Sequence, residues 1–152
     1  MKKIVKITSL LLVLTLALFA VACSSYGKVE KAFLDNGYSL AQEINDTSKA
    51  IKEDVEGLEI DAKYYNFIKS GLANEVLVIE FKAKDDLVKA SRNLTSINLQ
   101  LSGIDTKAET DELYDSLVDA GYANGNCLAI SAALGGFGSM LSDDYKIIMK
   151  NA

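Results

Sequence analysis

The residues that could do chemistry in this chain are carboxylates, two thiols and scattered hydroxyls. Histidine is missing: 152 residues hold 21 Asp plus Glu, 16 Lys plus Arg, two Cys, and no His, Trp or Pro. Without His there is no Ser-His-Asp triad, no Cys-His pair and no His-ligated zinc or haem. Two Cys make neither a disulfide framework nor a four-thiolate metal site. A net charge of −5 argues against general nucleic-acid binding, which draws its affinity from Lys and Arg that displace phosphate counterions.

Each remaining candidate has a structural counterpart. A nucleophilic Cys127 needs a base or cation to lower its pKa. Its sequence neighbours are Asn126, Leu128 and Ala129, so the residue reads as a small core side chain on a buried strand. Asp111, Asp115 and Asp119 form an i, i+4, i+8 row. Like charges so spaced cost roughly 0.2–0.5 kcal/mol per pair, which a bound cation or a basic partner would offset. Glu53, Asp54, Glu56, Glu59 and Asp61 make a second acidic cluster. Neither follows the EF-hand pattern of alternating oxygen ligands around a Gly, and both read as solvated faces.

Gly135-Gly136-Phe137-Gly138 lacks the Lys and the spacing of a phosphate loop and reads as a tight turn that tucks Phe137 inward. Ser25-Tyr26-Gly27-Lys28 fits S-x-x-K formally, but no SDN or KTG element accompanies it. The acidic neighbours Asp143-Asp144 and Glu109-x-Asp111-Glu112 suit helix starts on dipole grounds; glycosidic chemistry would need two carboxyls facing each other across a cleft. Tyr64, Tyr65, Phe67 and Phe81 either pack under helices or, with Tyr64 outward beside Asn66, offer an aromatic recognition row. No cofactor or metal site is expected.

The elements that must position these residues are set by periodicity. Val29, Ala32 and Phe33 recur at helical spacing, with Gly37 as a left-handed stop. Tyr38, Leu40, Gln42 and Ile44 alternate as a strand does, and Asp46 or Thr47 can cap a helix through Ala50, Ile51 and Val55 to Gly57. Ile60 to Ile68 and Glu75 to Phe81 are the best strands, joined as a hairpin. From Asp85 or Asp86, a stripe of Leu87, Ala90, Leu94, Ile97 and Leu101 predicts one helix closed by Gly103. A further helix runs from Thr106 to Ala120, with Leu113, Leu117 and Val118 inward and Gly121 as its stop. Asn124-Gly125 marks a turn before a buried strand, Cys127 to Ser131. Ser142 can cap a last helix, with Asp143 and Asp144 at its start and Lys150 near its end.

Phe33-Leu34-Asp35-Asn36-Gly37-Tyr38 is echoed by Leu117-Val118-Asp119-Ala120-Gly121-Tyr122. Two ordinary glycine caps, or an old duplication, would each produce this. The order predicts an α+β fold: a small, mainly antiparallel sheet with helices packed on one face. One domain over residues 28–152 is expected.

The N-terminus is of another kind. Lys2, Lys3 and Lys6 lead into Ile7 to Ala22, which carries no charge, and every acid lies beyond residue 23. A basic n-region, an apolar h-region and small residues at a boundary describe a secretory signal over residues 1–22. Beyond Ala22 the chain carries 13 bases against 21 acids, a net charge of −8. The boundary Leu18-Phe19-Ala20-Val21-Ala22-Cys23-Ser24-Ser25 resembles the lipobox of bacterial lipoproteins, with Ala20 where Leu is usual. The resemblance implies cleavage after Ala22, a diacylglyceryl group on the Cys23 sulfur, and a short tether over residues 23–27. Two acyl chains anchor stably where one is marginal, so the implied partner is the lipid bilayer, with the domain outside the cell membrane. The helix ending in Gly-Tyr, the aromatic-rich central strand and the strand-then-helix finish are similar to small lipoproteins of Gram-positive bacteria, a likeness that implies no activity.

Three readings remain open. One is a lipid-anchored interaction or accessory module without catalysis, with a protein or peptide partner. Another is a small ligand- or cation-binding lipoprotein that uses an acidic face. A third is an enzyme built on carboxylates or Cys127. A deep pocket with clustered carboxylates would favour the third, a shallow acidic face the second, and an open strand edge the first.

Overall fold

Glu-Val-Leu-Val-Ile-Glu-Phe, apolar at five of seven positions and rich in β-branched residues, forms the strand around which the rest assembles. In the computed structural model, residues 25–44, 62–69, 75–131 and 143–152 are described. In chain order they form α1 (Ser25–Asp35), β1 (Ser39–Ile44), β2 (Ala62–Ile68), β3 (Glu75–Phe81), α2 (Lys84–Asn93), α3 (Thr95–Asn98), α4 (Thr110–Ala120), β4 (Ala123–Asn124), β5 (Cys127–Ser131) and α5 (Asp144–Asn151). The strands make one antiparallel sheet in the order β1-β2-β3-β5-β4. The fold is α+β. The predicted signal over 1–22, the helix over 46–57, the first residues of the Ile60 strand, the Gly135–Gly138 turn and the Ser142 cap lie outside the described residues.

β2 and β3 pair in unbroken register from Ala62 opposite Phe81 to Ile68 opposite Glu75, as a hairpin requires. Alternation sends Tyr65 and Phe67 to one face of β2 and Tyr64 to the other. On the first face α1 lays Tyr26 flat on Tyr65, with ring centroids 3.6 Å apart, and Phe33 on Phe67 at 5.0 Å. On the second face Tyr64 stands beside Ile79, and Ile79 beside Leu128, all buried. Side chains on both faces of the central strands are therefore buried. A fully buried Leu, Ile or Phe contributes roughly 1.5–3 kcal/mol, and one continuous cluster of such residues runs through the sheet and its helices.

The α1–β1 and α4–β4 junctions share one cap. Gly37 and Gly121 have φ of 83° and 81°. The Tyr38 and Tyr122 N–H groups reach back to the Phe33 and Leu117 carbonyls at 3.1 and 2.8 Å, and Gly37 and Gly121 donate to Leu34 and Val118. This is the six-to-one, five-to-two pattern that closes a helix on a left-handed residue. Both tyrosines are buried, so the sequence echo is a repeated cap that turns the chain from helix into an edge strand.

Two helices depart from the sequence reading. The Leu87–Leu101 stripe is buried as predicted, but the helix breaks at Leu94, whose ψ of 115° is extended. The Leu94 N–H still closes α2 on Ala90, while its carbonyl accepts from Ile97 and Asn98 and opens α3. The helix expected from Thr106 begins at Thr110, because Arg92 takes the carbonyls its first turn would use. Arg92 Nε donates to Thr106 O at 3.1 Å and Nη2 to Ala108 O at 2.7 Å. The expected tether also ends early: Ser25, Tyr26 and Gly27 are the first turn of α1.

Candidate functional site

The end of the sheet where β2 begins and β3 leaves gathers exposed charge around a concavity. Lys63 sits opposite Glu80 in the ladder, and Glu80 opposite Cys127 at the start of β5. The β4–β5 turn folds against this end: the Phe81 N–H donates to Asn126 O at 2.9 Å, and Asn126 Nδ2 returns a bond to Phe81 O. Between them lies an open cleft of about 280 Å³, lined by Ala62, Lys63, Glu80, Phe81, Lys82 and Asn126. Glu80 accepts the Tyr65 hydroxyl at 3.1 Å. The Lys63 and Lys82 side chains are exposed. The cleft thus presents two ammonium groups against one hydrogen-bonded carboxylate. No spacing in the sequence marks it, since its charges come together only through strand register.

Cys127 lies beside this cleft but not in it. The thiol is fully buried; burial, with the nearby Glu80 charge, pushes its pKa up to about 12. It is a protonated thiol at neutral pH and poorly suited to nucleophilic attack.

Three of the carboxylates noted in the sequence, Asp111, Asp143 and Asp144, are each held in separate contacts. Asp111 lies 3.6 Å from Lys84, whose ammonium also sits 3.9 Å from the centroid of the Tyr114 ring. Asp111, Asp115 and Asp119 are exposed along α4; among the described residues no three His, Cys, Asp or Glu side chains group closely enough to hold a metal ion. Asp143 pairs with Lys146 at 3.2 Å. Asp144 accepts the Tyr38 hydroxyl at 2.6 Å and the Lys69 ammonium at 3.1 Å, a tie between α1's exit and α5 spanning 106 residues that sequence spacing gave no sign of. Burial and that bond to Asp144 raise the Tyr38 pKa. Glu109, Asp111 and Glu112 surround the start of α4, exposed.

Tyr64, Tyr65, Phe67 and Phe81 are all buried, so they form core and not an aromatic recognition row. Ser25 packs against the β4–β5 turn, and Lys28 is exposed on α1's first turn. Ala22, Cys23, the acidic cluster from Glu53 to Asp61 and Gly135–Gly138 lie outside the described residues. Among the described residues no helix is long and apolar enough to cross a membrane.

A second surface is backbone. β1 ends the sheet and pairs with β2 alone among the described strands. Ser39 to Glu43 are exposed along it, including Leu40. A register shift between Leu40 and Gln42 bulges the strand at Ala41, a device that blunts indiscriminate edge pairing. Comparison of the chain with family models, with curated proteins and with solved structures finds no match.

Proposed function

We propose that this chain is an extracytoplasmic lipoprotein, held at the cell membrane by lipid on Cys23, whose folded domain is a non-catalytic interaction module. The observation that carries the anchor is the boundary itself: three lysines, a charge-free run from Ile7 to Ala22, and Cys23 directly after a small residue. Replacing Cys23 by Ser is expected to abolish incorporation of labelled fatty acid and to leave the precursor uncleaved. Labelling that persists in the variant would overturn the anchor.

Support for an interaction role comes from how the reactive groups are used. Cys127 is sealed and protonated, and Asp144 holds Tyr38 and Lys69. The exposed β1 edge supports a partner that adds an extended peptide as a strand, with main-chain bonds for affinity and alternate side chains for specificity. A photocrosslinking residue at Gln42 on native membranes is expected to capture a discrete partner, and the same residue at Asp115 is not. Equal capture from both positions would count against the β1 edge.

A further inference from the structure

We propose that the sheet end bearing the Lys63–Lys82 cleft is the membrane-facing surface of the domain, and that these lysines meet the phosphates of anionic lipid headgroups. The proposal rests on the lipid-anchor reading of Cys23.

Its first support is the length of chain between anchor and fold. α1 begins at Ser25, two residues after Cys23, and two extended residues reach at most about 7 Å. The helix start is itself held down. The Tyr26 ring stacks on Tyr65, and a Cβ built on Gly125 would fall 2.1 Å from Ser25 Oγ, so the chain enters the fold directly against the β4–β5 turn. That turn carries Asn126, which lines the cleft with Lys63 and Lys82. A lipid on Cys23 would therefore hold this end within a headgroup's reach of the bilayer.

Charge is the second support. A chain of net charge −8 beyond residue 23 is repelled by an anionic surface unless it presents a basic end. Lys63 and Lys82 lie at this end, exposed, with no carboxylate in ion-pair contact among the described residues. Three acids on neighbouring elements are engaged elsewhere, Glu80 by Tyr65, Asp111 by Lys84 at 3.6 Å and Asp86 by Lys89 at 3.9 Å, while Glu30 and Glu43 flank Tyr26. The other end of the sheet, where Ser39 pairs with Ile68 and Ile68 with Glu75, lies about 17 Å further along the strands.

The test uses the full lipidated chain in vesicles, after its intact mass has shown the Cys23 modification. With Cys23 blocked and Cys127 buried, a fluorophore can be placed through Lys28→Cys at the near end or Ser39→Cys at the far end. A quencher is carried on the lipid headgroups. In phosphatidylglycerol-rich vesicles the Lys28 position is expected to be quenched several-fold more than the Ser39 position. Lys63→Gln with Lys82→Gln is expected to lower the docking equilibrium about twenty-five-fold, because each lysine near such a surface is worth about a fivefold factor. That double change should bring quenching to the level seen in pure phosphatidylcholine. Equal quenching at the two positions on a lipidated chain would overturn the orientation. A difference insensitive to the two lysines and to lipid charge would overturn the headgroup contact. An unmodified Cys23 would overturn the anchor reading first, and this proposal with it.

Discussion

The rings of Tyr26 and Tyr65 lie face to face, centroids 3.6 Å apart and planes inclined by 17°, and this contact fastens the first turn of α1 to β2. The Tyr26 hydroxyl is buried without a hydrogen-bond partner among the described residues, beside the carboxylates of Glu30, Glu43 and Glu80. Burial, then Glu30, raises its pKa. Ring and hydroxyl should therefore separate on mutation. Tyr26→Ala is expected to cost about 2 kcal/mol, below the ~3–5 of a fully buried aromatic because the residue is half-buried. Tyr26→Phe keeps the stack, removes the orphaned hydroxyl, and should be neutral or stabilising by up to about 1 kcal/mol. Urea denaturation of both variants measures the difference; a Tyr26→Phe loss as large as that of Tyr26→Ala would mean the hydroxyl is satisfied.

Gly121 and Gly103 share a left-handed backbone, with φ of 81° and 78°, but not the same surroundings. A Cβ on Gly121 would come 2.4 Å from the Lys146 carbonyl oxygen on α5, whereas nothing lies within 4 Å of one on Gly103. Backbone strain alone costs roughly 1–2 kcal/mol, so Gly103→Ala should lose about 1 kcal/mol. Gly121→Ala must also push two backbones apart and should lose about 3 kcal/mol or more. Thermal melts of the pair test whether close approach or conformation governs the cap.

Local pattern was legible in the sequence wherever one segment decided its own fate. The β-branched run of β3, the Gly-Tyr caps, the Asn124-Gly125 turn and the buried Leu87–Leu101 stripe are all set by residues within a few positions of one another. Register and long-range bonds were not. Lys63 and Glu80 meet through pairing, Tyr38 and Asp144 across most of the chain. The alternation that placed Tyr65 and Phe67 inward left Tyr64 to the opposite face, and no pattern within β2 says that this face is covered too. α4 starts late for the same reason: a side chain on α2 outbids the helix for two carbonyls.

Arg92 is that side chain. Its guanidinium spans the Thr106 and Ala108 carbonyls in a forked geometry a lysine cannot copy. Arg92→Lys should lose about 1 kcal/mol, and Arg92→Met about 2, because the second leaves acceptors unmet. Amide exchange localises the effect. Residues 106–109 should lose protection in both variants, while the amides of β3 change only in step with global stability. Uniform loss across the molecule would mean that Arg92 acts on the core and not on this connection.

The buried thiol and phenols make the fold sensitive to alkali. Cys127 ordinarily ionises at 9.0 and here at about 12, raised by burial and then by Glu80. Tyr26, Tyr38, Tyr64, Tyr65 and Tyr145 are likewise raised from 10.0, each first by burial. Below the unfolded values both states hold these protons, so stability is independent of pH on their account. Above them the unfolded chain releases protons that the folded chain keeps, so it binds fewer protons than the native state and stability declines as pH rises. The decline should begin near pH 9 with Cys127 and steepen above pH 10 as the tyrosines join. In Cys127→Ala the onset should move to about pH 10, whatever that variant loses at neutral pH. The same burial predicts that a thiol reagent labels Cys127 only through opening of the fold, at a rate that climbs as the alkaline decline sets in. Urea midpoints between about pH 8 and 11 would show the onset. An unchanged onset in Cys127→Ala would assign the first step to the tyrosines alone, and rapid labelling of the native protein at about pH 8 would contradict the sealed site.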